Sequence, residues 1–409
     1  MDTPVHAPLH IVVFRTPSGR NSSLLSGILG VGEAKGVRAR SGTTLLRARR
    51  PCAAPPRVYE RLGVAVVDLD DGQLGRLLRH KQVAAVVANE RCFVSASRCT
   101  GEEAPAAAGH GPEPAGHSWC LDMIGVGEGD RARGRGVTVA VLDTGVDLDH
   151  PDLSGRFRES WQAASFVPHE GVQDRHGHGT HCVGIVGGPR RSTSGTRYGV
   201  APEVRVLAGK VLSDAGSGFD DWILDGIDWA VENGARVVSM SCMSSRAAGE
   251  PSALLYERVA ENLLASRPGT LLLAAAGNAS ERPWYTRAVD NPGACPSLLA
   301  VAAVHRERRI ASFSGRQMDD IGVVNLSAPG VSVHSAWTGG GFRTLSGTSM
   351  AVPHVAGVAA LYLEEQPGLS GPDLWRMLQT RALPLGDVRD FGSGLVQASA
   401  HAASDPEVP

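Results

Sequence analysis

Five stretches of the chain are mostly apolar, with no strict alternation of apolar and polar positions: 137–142 (VTVAVL), 204–211, 235–240, 270–276 and 298–304. A strand reads this way when both faces of its sheet are covered, so each stretch predicts a buried parallel strand. Between them the pattern turns helical. DDWILDGIDWAVENG starts on Asp220 and Asp221, where acids suit a helix N-terminus, and stops at Gly234. THCVGIVGG, starting at Thr180, and the segment opening at Ser349 also read as helices. The alternation predicts an α/β fold with a doubly wound, mostly parallel sheet. In such sheets, active groups gather at the carboxyl ends of the strands.

The first hundred residues differ. Strands are predicted at 10–14, 62–67 and 83–87 and a helix at 71–80, which makes a small N-terminal α+β domain. Residues 16–55 are rich in Arg, Ser and Gly and read as loops. CTGEEAPAAAGHGPEPAGH, at 99–117, has no apolar periodicity and reads as a linker. The expected division is therefore a domain at 1–98, a linker at 99–117 and a larger domain at 118–409.

Composition narrows the function. The 409 residues carry 40 basic and 42 acidic side chains, so no cationic excess points to nucleic acid. The start lacks a basic segment followed by an apolar one, and no apolar run approaches the roughly 18 residues of a membrane span. No membrane partner is expected: the chain as written reads as cytoplasmic, or as secreted if its start is incomplete. Seven cysteines, at 52, 92, 99, 120, 182, 242 and 295, include no CxxC pair. Mostly reduced thiols are expected, and no zinc site.

Four residues carry candidate chemistry. Asp143 follows the strand VTVAVL, in LDTGVD. His178 lies between glycines in DRHGHGTHC. Asn278 closes the strand segment TLLLAAAGN. Ser349 opens a helix in LSGTSMAVPHVAG, with Pro353 expected in its first turn. Each has an ordinary reading alone: a turn Asp, a His176–His178–His181 metal cluster, a turn Asn, an N-cap Ser. A metal cluster is disfavoured, because no HExxH or usual zinc spacing accompanies the histidines. A serine at a helix N-terminus gains free backbone N–H groups that suit a developing oxyanion.

Together, AVLDTGVD, GHGTHCVG, AAAGN and GTSMAVPHVAG resemble the subtilisin family of serine proteases, in the chain order Asp, His, Ser. The resemblance runs from about 119 to 402 and includes ASFS, SAPG and FGSGLVQASA. HGTHC, with Cys182, is similar to the proteinase K branch. The resemblance implies a serine endopeptidase with Ser349 as nucleophile, His178 as base, Asp143 orienting the histidine and Asn278 in the oxyanion hole. HIVVF and RLGVAVVDLDDGQLGRLLRHKQVAAVVANE resemble the family's inhibitory propeptide, so the N-terminal domain is expected to act as an intramolecular inhibitor.

The resemblance further implies that a polypeptide substrate adds a strand between two cleft strands, at 216–219 and 241–244. Gly216, Ser217, Gly218, Ser241, Ala276 and Gly277 are the candidate contacts. Cys242 and Met243 stand where relatives carry Leu and Gly. Asp290, before NPGACPS, is placed near the floor of the S1 pocket, favouring Arg or Lys at P1; the alternative is a solvent-facing Asp paired with Arg287. Under the first reading, Arg91 or Arg98 becomes a self-cleavage candidate. No cofactor is required. Structural calcium is possible: Asp147 and Asp149 are candidate ligands, although Asn325 stands where relatives often carry Asp. A monomer is expected. Two rival readings are a catalytically silent binding protein of the same fold and a processing protease dedicated to one partner peptide.

Overall fold

The computed structural model describes residues 9–30, 33–38, 44–46, 56–94, 116–127, 129 and 131–398. Its centre is a seven-stranded parallel sheet, in the order Gln162–Ser165, Arg205–Lys210, Thr138–Asp143, Val237–Met240, Leu271–Ala275, Leu299–Val304, Leu326–Pro329. The chain starts on Thr138–Asp143 and later adds neighbours on both sides. Asp143 therefore ends the strand where the winding reverses, the place where α/β sheets form clefts.

The continuous apolar runs have a direct cause. Val139 and Val141 point into one core, with Val183, Val186 and Val355 from the helices His178–Gly187 and Thr348–Glu365. Ala140 and Leu142 point into the other, with Ile223, Ile227, Val259 and Leu263 from Asp220–Glu232 and Leu254–Ala265. Both faces are covered, so neither set of alternate positions is polar. No described helix is long and apolar enough to cross a membrane.

The N-terminal domain is a six-stranded sheet in the order Glu33–Arg38, Thr44–Leu46, Arg57–Tyr59, Val64–Val67, His10–Phe14, Val83–Ala88, its described pairings antiparallel. Helices Asn21–Leu29 and Asp71–Leu78 accompany it, the second capped by reciprocal Asp70–Gln73 hydrogen bonds. The expectation of loops over 16–55 is corrected. Asn21–Leu29 is a helix because Leu25 and Leu29 reach the core one turn apart, and Gly30 closes it in the left-handed region at φ 64°.

One face of this sheet, with Val12, Phe14, Val58, Ala65 and Val67, packs under its own helices. The other, with Ile11, Val13, Tyr59, Val64 and Val66, joins the core beneath Asp220–Glu232 and Leu254–Ala265. At the edge of the contact, Arg57 pairs with Asp221 at 2.5 Å and with Asp225. Tyr59 Oη donates to Asp225 at 2.7 Å, and Asn89 Nδ2 donates to Asp221 at 2.9 Å.

Two boundaries move. Gly116 and His117, expected in the linker, pair instead with Thr196–Arg197; residues 99–115 lie outside the described residues. Arg91–Val94 leaves the N-terminal sheet and lies antiparallel between Ser217–Phe219 and Cys242–Met243.

Candidate active site

Asp143 and His178 meet because the strand bearing one ends beside the helix opened by the other. His178 Nδ1 lies 2.8 Å and 2.9 Å from the two carboxylate oxygens of Asp143. Both residues are 1% exposed. The approach needs glycine: a Cβ on Gly179 would sit 2.3 Å from the Gly145 carbonyl oxygen. Burial by itself would raise the Asp143 carboxyl, but the charge and hydrogen bond of His178 and the Thr144 N–H hold it below its ordinary value. For His178, burial works downward. The Asp143 charge, Cys182 and the hydrogen bonds outweigh it and keep the imidazole well above its ordinary value.

The loop before the helix is built on Asp174, a residue that sequence reasoning missed. Its oxygens accept from His176 N–H at 3.0 Å, Gly177 N–H at 2.8 Å, Thr180 N–H at 2.9 Å and both the Thr144 and Thr180 hydroxyls. Thr144 Oγ1 in turn accepts from Gly179 N–H at 2.8 Å. The sequence signal was an Asp four positions before His178, opening a loop whose N–H groups need an acceptor. Lys210 was also missed. Fully buried, it donates to the Thr144 carbonyl at 2.7 Å and pairs with Asp214 and Glu170, fastening the turn behind Asp143.

Ser349 is the second residue of Thr348–Glu365, and its Oγ lies 3.4 Å from the Ser241 carbonyl. His178 Nε2, the atom that would take the serine proton, is buried and makes no hydrogen bond. Catalytic hydrogen bonds commonly tighten only with substrate bound. Pro353 lies five residues into the helix, not in its first turn as expected. Lacking an N–H, it cannot bond the Ser349 carbonyl. Ser241 Oγ at 3.0 Å and Cys182 Sγ at 3.6 Å supply the missing donors. Cys182 Sγ also lies 3.9 Å from His178 Nδ1, so one buried thiol touches both halves of the site.

Asn278 Oδ1 accepts from Thr348 N–H and Thr348 Oγ1, each at 2.8 Å. With the oxygen committed, the amide nitrogen points to the turn before Ser349, where a Cβ on Gly347 would be 3.1 Å from it. An N–H donor beside the Ser349 hydroxyl is geometry that suits a developing oxyanion. Ala276 and Gly277 complete this edge. Gly277 has φ 112°, and a Cβ there would meet Asp290 Oδ2 at 2.6 Å.

Asp290 is 2% exposed, so the alternative of a solvent-facing carboxylate fails. Its Oδ1 accepts from Arg246 N–H at 3.1 Å, while Arg287 hydrogen-bonds Tyr285 Oη. Burial raises its carboxyl to about 6. Arg246, itself buried, binds the Val289 carbonyl and forks onto Asp319, holding this wall from behind.

The strand Arg91–Val94 occupies the cleft edge formed by Gly216, Ser217, Gly218 and Ser241. Phe93 pairs with Ser217 and Met243, Cys92 with Gly218 and Val94 with Cys242; Val94 N–H donates to the Gly216 carbonyl at 2.8 Å. Because Ser241 touches Ser349 Oγ, Val94 marks the end nearest Ser349. Arg91 is at the far end, opposite Phe219, which removes it as the self-cleavage residue. Arg98 lies outside the described residues.

Asp147 does not fit a cation. It accepts from Asp149 N–H and Gln173 Nε2 on one oxygen and from Gly339 and Gly340 N–H on the other. Four N–H donors leave no face for calcium, which needs a shell of oxygens. Among the described residues, the one clustering of metal-capable groups is Asp143, His178 and Cys182, the charge-paired centre itself.

Comparison with known proteins agrees with this geometry. Residues 134–394 match the subtilase family. Over 273 residues the chain is 38% identical to subtilisin E of Bacillus subtilis (strain 168), covering 66% of each protein. Over 270 residues it is 40% identical to subtilisin Savinase of Lederbergia lenta, covering 65% of this chain and 91% of that one. The crystal structure of a cold adapted subtilisin-like serine proteinase superposes with a TM-score of 0.58 at 33% identity, over 69% of this chain and 99% of that chain. The matched region includes Asp143, His178, Asn278 and Ser349, and the chain belongs to the subtilase family of serine endopeptidases.

Proposed function

We propose that the chain hydrolyses peptide bonds by a Ser349–His178–Asp143 triad through an acyl-enzyme, and that its N-terminal domain holds it latent. Ser349 Oγ attacks the scissile carbonyl while His178 Nε2 takes its proton and later passes it to the leaving amine. Asp143 fixes the tautomer with the proton on Nδ1 and stabilises the imidazolium. Asn278 and the Ser349 N–H receive the oxyanion. Water then repeats the sequence to free the acid.

The observation that carries the latency is the strand Arg91–Val94, which holds the backbone bonds an extended substrate would need. A polypeptide substrate is therefore expected to bind only after this strand leaves. Asp290 behind Gly277 supports a preference for Arg or Lys at P1. Cys182 against His178 supports a placement near the proteinase K branch. The enzyme acts as a monomer.

The test is intact mass of wild type and Ser349→Ala with a fluorophosphonate probe. One adduct or a cut after residue 94 in wild type alone supports the reading. No probe adduct and no self-cleavage in either protein, even after an added protease has removed the N-terminal unit, sinks it in favour of a silent binding protein.

A further inference from the structure

Cys92 and Cys242 belong to different units, one to the tail of the N-terminal domain and one to the cleft strand. In the antiparallel pairing Cys242 faces Val94, which places Cys92 two positions along on the same side of the sheet. Diagonal neighbours lie about 7–8 Å apart, at the limit of a disulfide's span, so a bridge here closes with a small backbone shift. Both thiols are buried in the same apolar cluster, Cys92 shifts the electrostatics of Cys242, and neither is in a disulfide.

We propose that Cys92 and Cys242 are a cross-linking pair whose disulfide fastens the N-terminal strand inside the cleft. The oxidant is a low-molecular-weight disulfide such as oxidised glutathione. With the strand lifted, the Cys92 thiolate attacks one glutathione sulfur and expels a glutathione thiolate. On redocking, the Cys242 thiolate attacks the Cys92 sulfur and expels the second. Two thiols become one disulfide, one glutathione disulfide becomes two glutathiones, and the protons pass to the leaving thiolates. In the docked state the neighbouring Cys92 thiol, then burial, push the Cys242 thiol well above its ordinary value, so the pair rests as thiols until the strand moves. The cross-link makes cleft opening a reductive event; this consequence, though not the chemistry, rests on the latency reading.

The full chain carrying Ser349→Ala, which cannot process itself, is incubated with reduced or oxidised glutathione and then alkylated with N-ethylmaleimide under denaturing conditions. The oxidised sample is expected to take up two fewer maleimides, and non-reducing peptide mapping to join the Cys92 and Cys242 peptides. Cys92→Ser abolishes the joined peptide; Cys120→Ser leaves it. Full alkylation after oxidation, a glutathione left on Cys92, or a bridge from either cysteine to Cys52 or Cys99 overturns the proposal. A second readout separates it from the latency reading. Oxidised wild type should react with a fluorophosphonate about tenfold or more slowly than after reduction. A mapped Cys92–Cys242 bridge with unchanged labelling keeps the pair and sinks the latency.

Discussion

The central sheet buries both faces under its own helices, whereas the N-terminal sheet covers one face itself and borrows the other cover from the catalytic domain. The first arrangement is self-sufficient. Asp143, His178 and Ser349 sit on elements that a single continuous core fixes, and buried hydrogen bonds from Asp174, Thr144 and Ser241 finish the positioning. The second is conditional. If the N-terminal unit undocks, Ile11, Val13, Tyr59, Val64 and Val66 lose their cover, and the Arg57–Asp221–Asp225 cluster is broken open. On the proposed reading, catalysis belongs to one region and control to the contact between two.

The sharpest way to break that division is Ser349→Ala. It should cost about 10⁶-fold in kcat, the scale known for a subtilisin nucleophile, with docking of the N-terminal unit unchanged. A peptide-hydrolysis assay with a far-UV melting curve reads both; a shifted melt would show that the regions are not separable at this residue.

Next is the charge pair. His178 must be neutral to act as base, so the acid limb of kcat/KM should lie above the ordinary histidine range and activity should fall as pH drops through it. The stability sign is opposite. A raised His178 contributes fully below the ordinary histidine pKa, and that contribution is lost as pH rises through the raised value. Asp143→Asn should move the limb toward lower pH and reduce kcat about 10⁴-fold. A pH–rate profile unmoved by that change would refute the pairing.

Asn278→Ala should lower kcat about 10²–10³-fold with little change in KM, the range known for one oxyanion donor in a subtilisin. At the contact between regions, Arg57→Ala leaves Asp221, Asp225 and the Tyr59 hydroxyl facing one another without a cation. Arg57 is 21% exposed on its side chain, so the loss should be about 2–3 kcal/mol of docking, seen as faster fluorophosphonate labelling of the full chain. Unchanged labelling would mean that the apolar face alone holds the unit.

The smallest effect belongs to Asp290→Asn. A buried carboxyl raised to about 6 costs nothing while protonated, so the variant should match wild type below about pH 4. It should gain on the order of 2 kcal/mol above pH 6, while losing preference for Arg at P1. Retained Arg preference would remove Asp290 from the specificity wall.

Sequence by itself determined five of the seven central strands, the helices that begin near His178, Asp220 and Ser349, and the four candidate chemical residues. Runs such as VTVAVL encode burial on two faces locally, and Asp143, His178, Asn278 and Ser349 each sit in a short motif whose glycines and chain order are visible without a structure. Tertiary structure alone decided the rest. The helix at Asn21–Leu29 hid in a stretch rich in Ser and Gly, because two well-placed leucines suffice when a neighbouring sheet waits to cover them. Asp174 and Lys210 read as ordinary polar residues until the fold surrounded them with N–H and C=O groups that needed partners. The register of Arg91–Val94 in the cleft was likewise illegible. Pairing between segments more than a hundred residues apart is set by which backbone groups the rest of the fold leaves unmatched, and no local pattern records that.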